Sequence, residues 1–141
     1  MLMPNKVKHR KWQKGRSFGG QKGTETRGIE LAFGSYGLQS LESHRVSSRQ
    51  LESSRRLIMR YLKKGGKLWI RIFPFKPITN KGIEVPMGGG KGAVSHYVFP
   101  VRAGRIIFEM DGVPKEIAQE ALEKAGDKLP VKTKFVTRNN I

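Results

Sequence analysis

The sequence contains no cysteine, and this absence excludes several kinds of site. Disulfide bridges, thiolate metal sites and thiol nucleophiles all need cysteine side chains. His9, His44 and His96 lie far apart in the chain and have no carboxylate at the spacing of a metal site. No Ser/His/Asp set and no pair of carboxylates is spaced for catalysis. We therefore expect no metal, no cofactor and no catalytic residue, and predict that the chain is not an enzyme.

Acidic residues are scarce as well. The chain has 11 Asp and Glu against 28 Lys and Arg, a formal net charge of +17 over 141 residues. An excess of this size makes an isolated protein repel its own copies and attracts it to phosphate. The composition therefore favours a nucleic-acid partner over a basic protein that is merely soluble.

Long apolar runs are also missing, so no segment has the length of a membrane span. The first residues lack the apolar core of a secretory signal, and no basic amphipathic helix with an aromatic face is predicted. We expect a protein of the compartment in which it is made, the cytoplasm or an organelle with its own translation. The length supports one domain with a modest core.

The first 24 residues contain seven cationic residues and no acidic residue. Trp12 and Phe18 interrupt this polar, glycine-rich run. Such a segment buries too little apolar surface to offset its ordering entropy, so we expect it to be disordered on its own. Cations with scattered aromatics suit contacts with phosphates and exposed bases. We predict a basic extension over residues 1–28 and a single α+β domain over residues 29–141. The cations of the extension assigned to RNA are Lys6, Lys8, Arg10, Lys11, Lys14 and Arg16.

The clearest local prediction is a helix that begins after Ser47 and ends at Lys64. Ser47 and Gln50 have the spacing of a capping box, while Val46 and Leu51 have that of a hydrophobic staple. Glycines at 65 and 66 are typical of the position just past a helix. One face of this helix is predicted to be apolar: Leu51, Ser54, Ile58, Tyr61 and Leu62. Another face is cationic and is predicted to bind RNA: Arg49, Arg56, Arg60 and Lys63, flanked by Arg55 and Lys64.

Runs rich in β-branched and aromatic residues predict strands on both sides of this helix. The predicted strands are 29–33, 36–41, 67–73, 96–101, 106–110 and 131–137. A second helix is predicted from Pro114 to Ala125, with Glu120 and Lys124 at the spacing of an ion pair. Its predicted apolar stripe is Ile117, Ala118, Ala121, Leu122 and Ala125. This order favours an α+β two-layer sandwich, with two helices on one face of a mainly antiparallel mixed sheet.

The connection from Lys76 to Ala93 has five glycines, two prolines and three lysines. A connection this long is usually functional, and glycine permits close backbone approach to a ligand while lysine supplies charge. We predict a protruding loop over residues 76–93, in which Ile83, Val85 and Met87 act as apolar anchors. The residues expected to make contacts are Lys76, Lys81, Gly88, Gly89, Gly90, Lys91 and Gly92.

Two phosphate- or RNA-binding motifs fit this loop poorly. A Walker motif would need glycine at Val85 and serine or threonine at Gly92. Residues 89–92 match the GXXG pattern of a KH domain, but that motif joins two helices and strands are predicted here.

Several segments together resemble the bacterial and organellar large-subunit ribosomal protein sixteen family. The segments are Met1–Pro4, Phe33–Gln39, Gly66–Pro74, Lys76–Thr79, Met87–Gly92, Asp111–Pro114 and Leu129–Thr137. They are spread over nearly the whole chain and follow the family's order. The resemblance implies an α+β sandwich that binds large-subunit (23S-type) rRNA, supports subunit assembly and neighbours other ribosomal proteins.

The resemblance also implies that the loop faces A-site tRNA, with P-site tRNA as a further candidate, near the peptidyl transferase region. No membrane and no homo-oligomer are expected. Pro86 stands where the family usually has arginine, Gly89 where a polar or basic residue is common, and Phe75 where aspartate is common. Two other classes stay open, a free RNA-binding regulator of KH or cold-shock type and an RNA-modifying enzyme. Co-sedimentation with the large subunit would separate the first of these from a ribosomal protein.

Overall fold

The computed structural model describes residues 1–13, 23–62 and 65–138. Predictions for Lys14, Arg16, Phe18, Lys63 and Lys64 lie outside these ranges. Within them, seven strands and two helices follow one another along the chain. They are β1 (Tyr36–Ser40), β2 (His44–Ser47), α1 (Ser48–Leu62), β3 (Lys67–Ile70), β4 (Lys76–Asn80), β5 (Ala93–Val101), β6 (Ile106–Asp111), α2 (Lys115–Gly126) and β7 (Thr133–Thr137).

The strands form two antiparallel sheets, a four-stranded sheet in the order β3-β6-β1-β7 and a three-stranded sheet in the order β2-β5-β4. Helix α2 packs on β1, β6 and β7, whereas α1 touches α2 and strands of both sheets. The predicted α+β class, with helices packed against antiparallel strands, is confirmed. The division into two sheets was not predicted, because strand patterning does not say which strands pair.

Helix α1 begins with the predicted capping box. The Ser47 amide donates to Gln50 Oε1 over 2.9 Å, and the Gln50 amide donates to Ser47 Oγ over 3.2 Å. Val46 and Leu51 are both buried in the main core. The helix buries its predicted apolar face at Leu51, Ser54, Ile58 and Leu62. With its apolar face buried, the helix directs the candidate RNA-binding arginines on its other face toward solvent.

We expect Ser47→Ala to lower the free energy of unfolding by about 1 kcal/mol, since it leaves the Gln50 amide without its side-chain acceptor. Thermal unfolding followed by circular dichroism should show a midpoint lower by a few degrees. Ser53→Ala, in the middle of the same helix, is the control. Equal midpoints for the two variants would show that the cap contributes nothing.

Helix α2 differs from its prediction at both ends and on one face. Pro114 is the N-cap with extended backbone rather than the first helical residue, and Gly126 is the last helical residue. A Cβ at Gly126 would lie 2.2 Å from Thr133 Oγ1, so glycine is needed there for packing against β7. Ile117 is exposed, although it was predicted to belong to the apolar stripe. The predicted pair of Glu120 and Lys124 is present at 2.9 Å.

Residues 29–33 do not form the predicted strand. Their segment lies over the face of the four-stranded sheet that carries Glu109, and Leu31 packs with Ile106 and Val136 in a second apolar cluster. A Cβ at Gly37 would lie only 2.3 Å from Leu31 Cδ2, so the missing side chain makes room for Leu31. The β-rich composition of this segment therefore reflects burial against a sheet rather than pairing within one.

The side chain of Glu109 is fully buried in β6 and accepts hydrogen bonds from this segment. Its Oε1 accepts from the amides of Ala32, Phe33 and Gly34 at 3.0, 2.8 and 2.9 Å. Its Oε2 accepts from the Arg71 guanidinium. Burial raises the pKa of Glu109, but the hydrogen bonds from Gly34, Arg71 and Phe33 outweigh it and hold the pKa below its usual value. Glu109 is therefore an ionised structural anchor.

Candidate RNA interface

The predicted loop is the far end of a β-hairpin, because its first five residues form β4 and its last residue begins β5. Residues Lys76–Asn80 pair with β5 and end at the Asn80–Ala93 pair, so only residues 81–92 lack regular structure. The irregular part therefore begins at residue 81 and not at residue 76 as predicted. Residues 76–80 contain Pro77 and end in Asn80, which gives little sign of a strand, and pairing with β5 supplies the hydrogen bonds that fix it.

The tip of this hairpin is exposed. Gly88, Gly89 and Gly90 have φ values of 102°, 75° and 113° with open space around them, a backbone that side-chain-bearing residues rarely adopt. Lys81 Nζ donates to the Gly88 carbonyl over 2.7 Å and braces this turn. The three apolar residues predicted as anchors are instead exposed: Ile83, Val85 and Met87. They form an apolar tip that a partner could cover.

The N-terminal segment lies against the base of the hairpin. Lys11 Nζ donates to the Lys91 carbonyl over 3.0 Å, and Lys91 Nζ donates to the Trp12 carbonyl. The Trp12 ring lies 5.3 Å from the Phe75 ring, which in turn meets Phe99 of β5 edge-on at 5.7 Å. The extension and the hairpin, which are 79 and 80 residues apart at these bonds, therefore form one surface.

This surface contains an open groove of about 630 Å³. The groove is lined by Pro4, Lys6, Val7, Lys8, His9, Lys11, Trp12, Gln13, Phe73 and Phe75. Cationic and aromatic side chains thus face the same space, an arrangement suited to a phosphate backbone with bases that can stack.

A smaller cavity of about 50 Å³ beside the groove is lined by three cations, Arg45, Lys76 and Lys91. None of the described residues that line it is acidic. Lys76, predicted to be one of the contact residues of the loop, is 5% exposed and lies buried at the base of the hairpin. Burial lowers the pKa of Lys76, and the charges of Arg45 and Lys91 lower it further. An anion in this cavity would relieve the repulsion among the three cations.

The outer face of α1 forms a second basic surface. Arg49, Arg56 and Arg60 are exposed and line a cavity of about 400 Å³ together with Lys128. Glu52 lies in the same cavity, where its hydrogen bond with Arg55 lowers its pKa to about 2. Glu52 pairs with Arg55 over 2.5 Å and with Arg56 over 3.3 Å, and the Arg56 side chain is still 71% exposed.

Residues 4–136 match the sequence model of the ribosomal protein L16p/L10e family. The chain belongs to the ribosomal protein L16p/L10e family. It is therefore a structural constituent of the large ribosomal subunit, acts in translation and is not an enzyme. Membership implies association with large-subunit rRNA and other ribosomal proteins, on a ribosome in the cytoplasm or in an organelle.

The structure brings together some predicted site residues of this L16p/L10e protein and separates others. Lys6, Lys8 and Lys11 line the groove near the hairpin, and Arg10 is exposed on the same segment. The α1 arginines form a surface of their own. Lys14, Arg16 and Lys63 lie outside the described residues.

Sequence reasoning missed Arg45 and Lys128. Arg45 reaches the small cavity only because β2 pairs with β5. Lys128 reaches the α1 surface only because α2 packs on α1, and a lone lysine after an acidic helix carries no sequence signal.

Among residues 1–13, 23–62 and 65–138, no group of three His, Asp or Glu is placed to hold a metal ion. Neither helix in those ranges is long and apolar enough to span a bilayer.

Proposed function

We propose that this L16p/L10e protein binds large-subunit rRNA through two surfaces and holds its hairpin tip toward tRNA. The first surface joins the extension, the groove and the base of the hairpin, and the second is the outer face of α1. The division into a basic extension, residues 1–28, and one folded domain, residues 29–141, is part of this proposal. It is supported by a main core that draws on both helices and on strands of both sheets.

The observation that carries the proposal is the pair of hydrogen bonds that joins the extension to the hairpin, from Lys11 Nζ to the Lys91 carbonyl and from Lys91 Nζ to the Trp12 carbonyl. Each lysine donates to a carbonyl on the other segment, so both cations are held where the groove meets the small cavity. A polyanion at this junction would meet cations from both segments at once. Phosphate contacts fix register and orientation, which is what a subunit component needs from rRNA.

The contact of the tip with A-site tRNA, and with P-site tRNA as a further candidate, is proposed from the tip's chemistry. Gly88, Gly89 and Gly90 offer backbone groups to a close ligand, and Lys81 brings charge near it. Pro86 supplies no charge at the position where the family resemblance implies arginine. This tip should therefore depend on Lys81.

The proposal is tested by the salt dependence of binding to large-subunit rRNA. We expect Lys6→Gln, Lys8→Gln and Lys11→Gln together to flatten the slope of log affinity against log salt by up to about 2 to 3, since each lost phosphate contact contributes roughly 0.7 to 0.9. The matched control replaces three exposed lysines elsewhere, Lys115, Lys132 and Lys134, by glutamine. Equal slopes for both triple variants would contradict the proposed surface.

A further inference from the structure

Phe33 forms an exposed aromatic surface away from both basic surfaces. Its side chain is 55% exposed although it stacks on Trp69, with ring centroids 5.9 Å apart and planes inclined by 18°. The guanidinium carbon of Arg71 lies 5.2 Å from the centre of the same ring. An exposed phenylalanine supported in this way differs from a scattered surface apolar residue, because its orientation is fixed.

The two supporting residues project from the same side of one strand. Trp69 and Arg71 are two positions apart on β3 and its extension, where the Arg71 amide still donates to the Ile107 carbonyl over 2.9 Å. Residues two apart on a strand project to the same side. Leu68 and Ile70, on the other side, pack against the main core. Both supporting contacts therefore come from the sheet, and the exposed part of Phe33 points away from it.

The backbone beneath this ring is rigidly held. The Phe33 amide and the amides on either side of it, those of Ala32 and Gly34, donate to the single oxygen Oε1 of Glu109. A Cβ at Gly34 would lie 2.5 Å from the Met110 carbonyl oxygen, so the chain passes directly against β6. A ring presented from such a backbone loses little further entropy when a ligand stacks on it.

Two exposed cations lie on segments next to this ring. Lys67 is exposed and projects from β3 on the same side as Trp69, two positions away. Arg138 is also exposed, and its Nη2 donates to the Gly34 carbonyl over 3.0 Å. Two carboxylates lie close by: Glu109 is buried beneath the ring and pairs with Arg71, and Asp111, the cross-strand partner of Lys67, accepts hydrogen bonds from Ser35 and Gly112. An exposed aromatic ring can stack on a base, and cations on the neighbouring segments can pair with the phosphates beside that base.

We propose that the outward face of Phe33 is a stacking site for an unpaired nucleobase of large-subunit rRNA, with Lys67 and Arg138 facing the flanking phosphates. This site rests on the proposed rRNA-binding function and adds a third contact on the opposite side of the four-stranded sheet from α2. The net charge of +17 and the two flanking cations favour RNA over an apolar protein partner. Base–aromatic stacking is the usual way in which proteins hold unpaired bases.

The direct test places a photoreactive benzophenone analogue of phenylalanine at position 33 in the full chain and irradiates purified large subunits that contain it. We expect a cross-link to a single unpaired region of rRNA. A cross-link to a ribosomal protein, or no cross-link from subunits that contain the chain, overturns this site and leaves the proposed function intact. A chain that is absent from the subunits overturns both.

Substitutions at position 33 distinguish a base-stacking role of Phe33 from a purely structural one. Phe33→Leu keeps an apolar side chain but cannot stack, so it should weaken rRNA binding by about five- to 100-fold. It should also raise the chemical reactivity of the cross-linked base in assembled subunits. Phe33→Tyr should retain both properties, and Leu41→Ala, a residue of similar exposure elsewhere, should match the unchanged protein. If Phe33→Leu lowers the unfolding midpoint but leaves affinity and base reactivity unchanged, Phe33 is only structural and the proposal is wrong.

Discussion

Large subunits that carry this protein without its hairpin tip should assemble and yet be poorly active. The variant replaces residues 81–92 by the dipeptide Asn-Gly. Asn80 and Ala93 are already cross-strand partners, and a two-residue Asn-Gly turn closes a hairpin from such a pair. The platform should fold because β4 and β5 keep their pairing, and rRNA docking should survive through the α1 face and the extension. Accommodation of tRNA and peptide-bond formation should slow in reconstituted subunits.

The tip deletion also removes Lys91, whose carbonyl and Nζ tie the extension to the hairpin. Lys91→Ala in the complete hairpin is therefore the matched control, because it removes the Nζ bond to the Trp12 carbonyl while keeping the tip. We expect the control to weaken rRNA binding modestly and to leave tRNA accommodation closer to normal than the deletion does. Full activity of subunits with the deleted tip would show that residues 81–92 are only a spacer.

Replacement of Glu109 should have the largest effect on stability. Glu109→Ala leaves three backbone amides and the Arg71 guanidinium without their acceptor in a buried site, at a cost of about 3 to 5 kcal/mol. Glu109→Gln keeps the oxygen that accepts the amides but turns a donor toward Arg71, so it should cost less. Urea denaturation at pH 7 measures both. The control is Glu84→Gln, at an exposed position of the hairpin tip.

The same carboxylate predicts the direction of the pH dependence. The pKa of Glu109 is held below its usual value in the folded protein. The group therefore contributes stability that is fully present above the unfolded pKa of about 4.3 and is lost as pH falls through the lower folded pKa. The stability difference between the unchanged protein and Glu109→Gln should shrink as the pH falls below about 4. A difference that stays constant to pH 3 would show that the ionised carboxylate is not the source of the effect.

Local patterns were sufficient for the helices and for most strand positions. The capping box at Ser47, the period of α1 and the pair of Glu120 and Lys124 involve residues within four positions of one another. Interactions of that range are encoded in consecutive residues, and tertiary contacts reinforce them here. The excess of cations follows from the composition alone, and together with the family's motifs it indicates an RNA-binding ribosomal protein.

Only the tertiary structure decided where the cationic side chains lie in space and which hydrogen bonds fix the segments outside helices and strands. Residues 29–33 have strand-like composition, but the amides at the end of this segment, those of Ala32, Phe33 and Gly34, bond to Glu109, 75 to 77 residues away, rather than to a neighbouring strand. Lys76 resembles its neighbours in the loop, yet pairing of β4 with β5 buries it. The cavity formed by Arg45, Lys76 and Lys91 exists only after β2, β4 and the end of the hairpin tip meet. The sequence specifies the types of residue and their short-range periodicity. Which distant residues come into contact depends on how the strands pair and the sheets pack. Since the energy between two charges depends on the distance between them in space, only the tertiary structure decides which cations share a site.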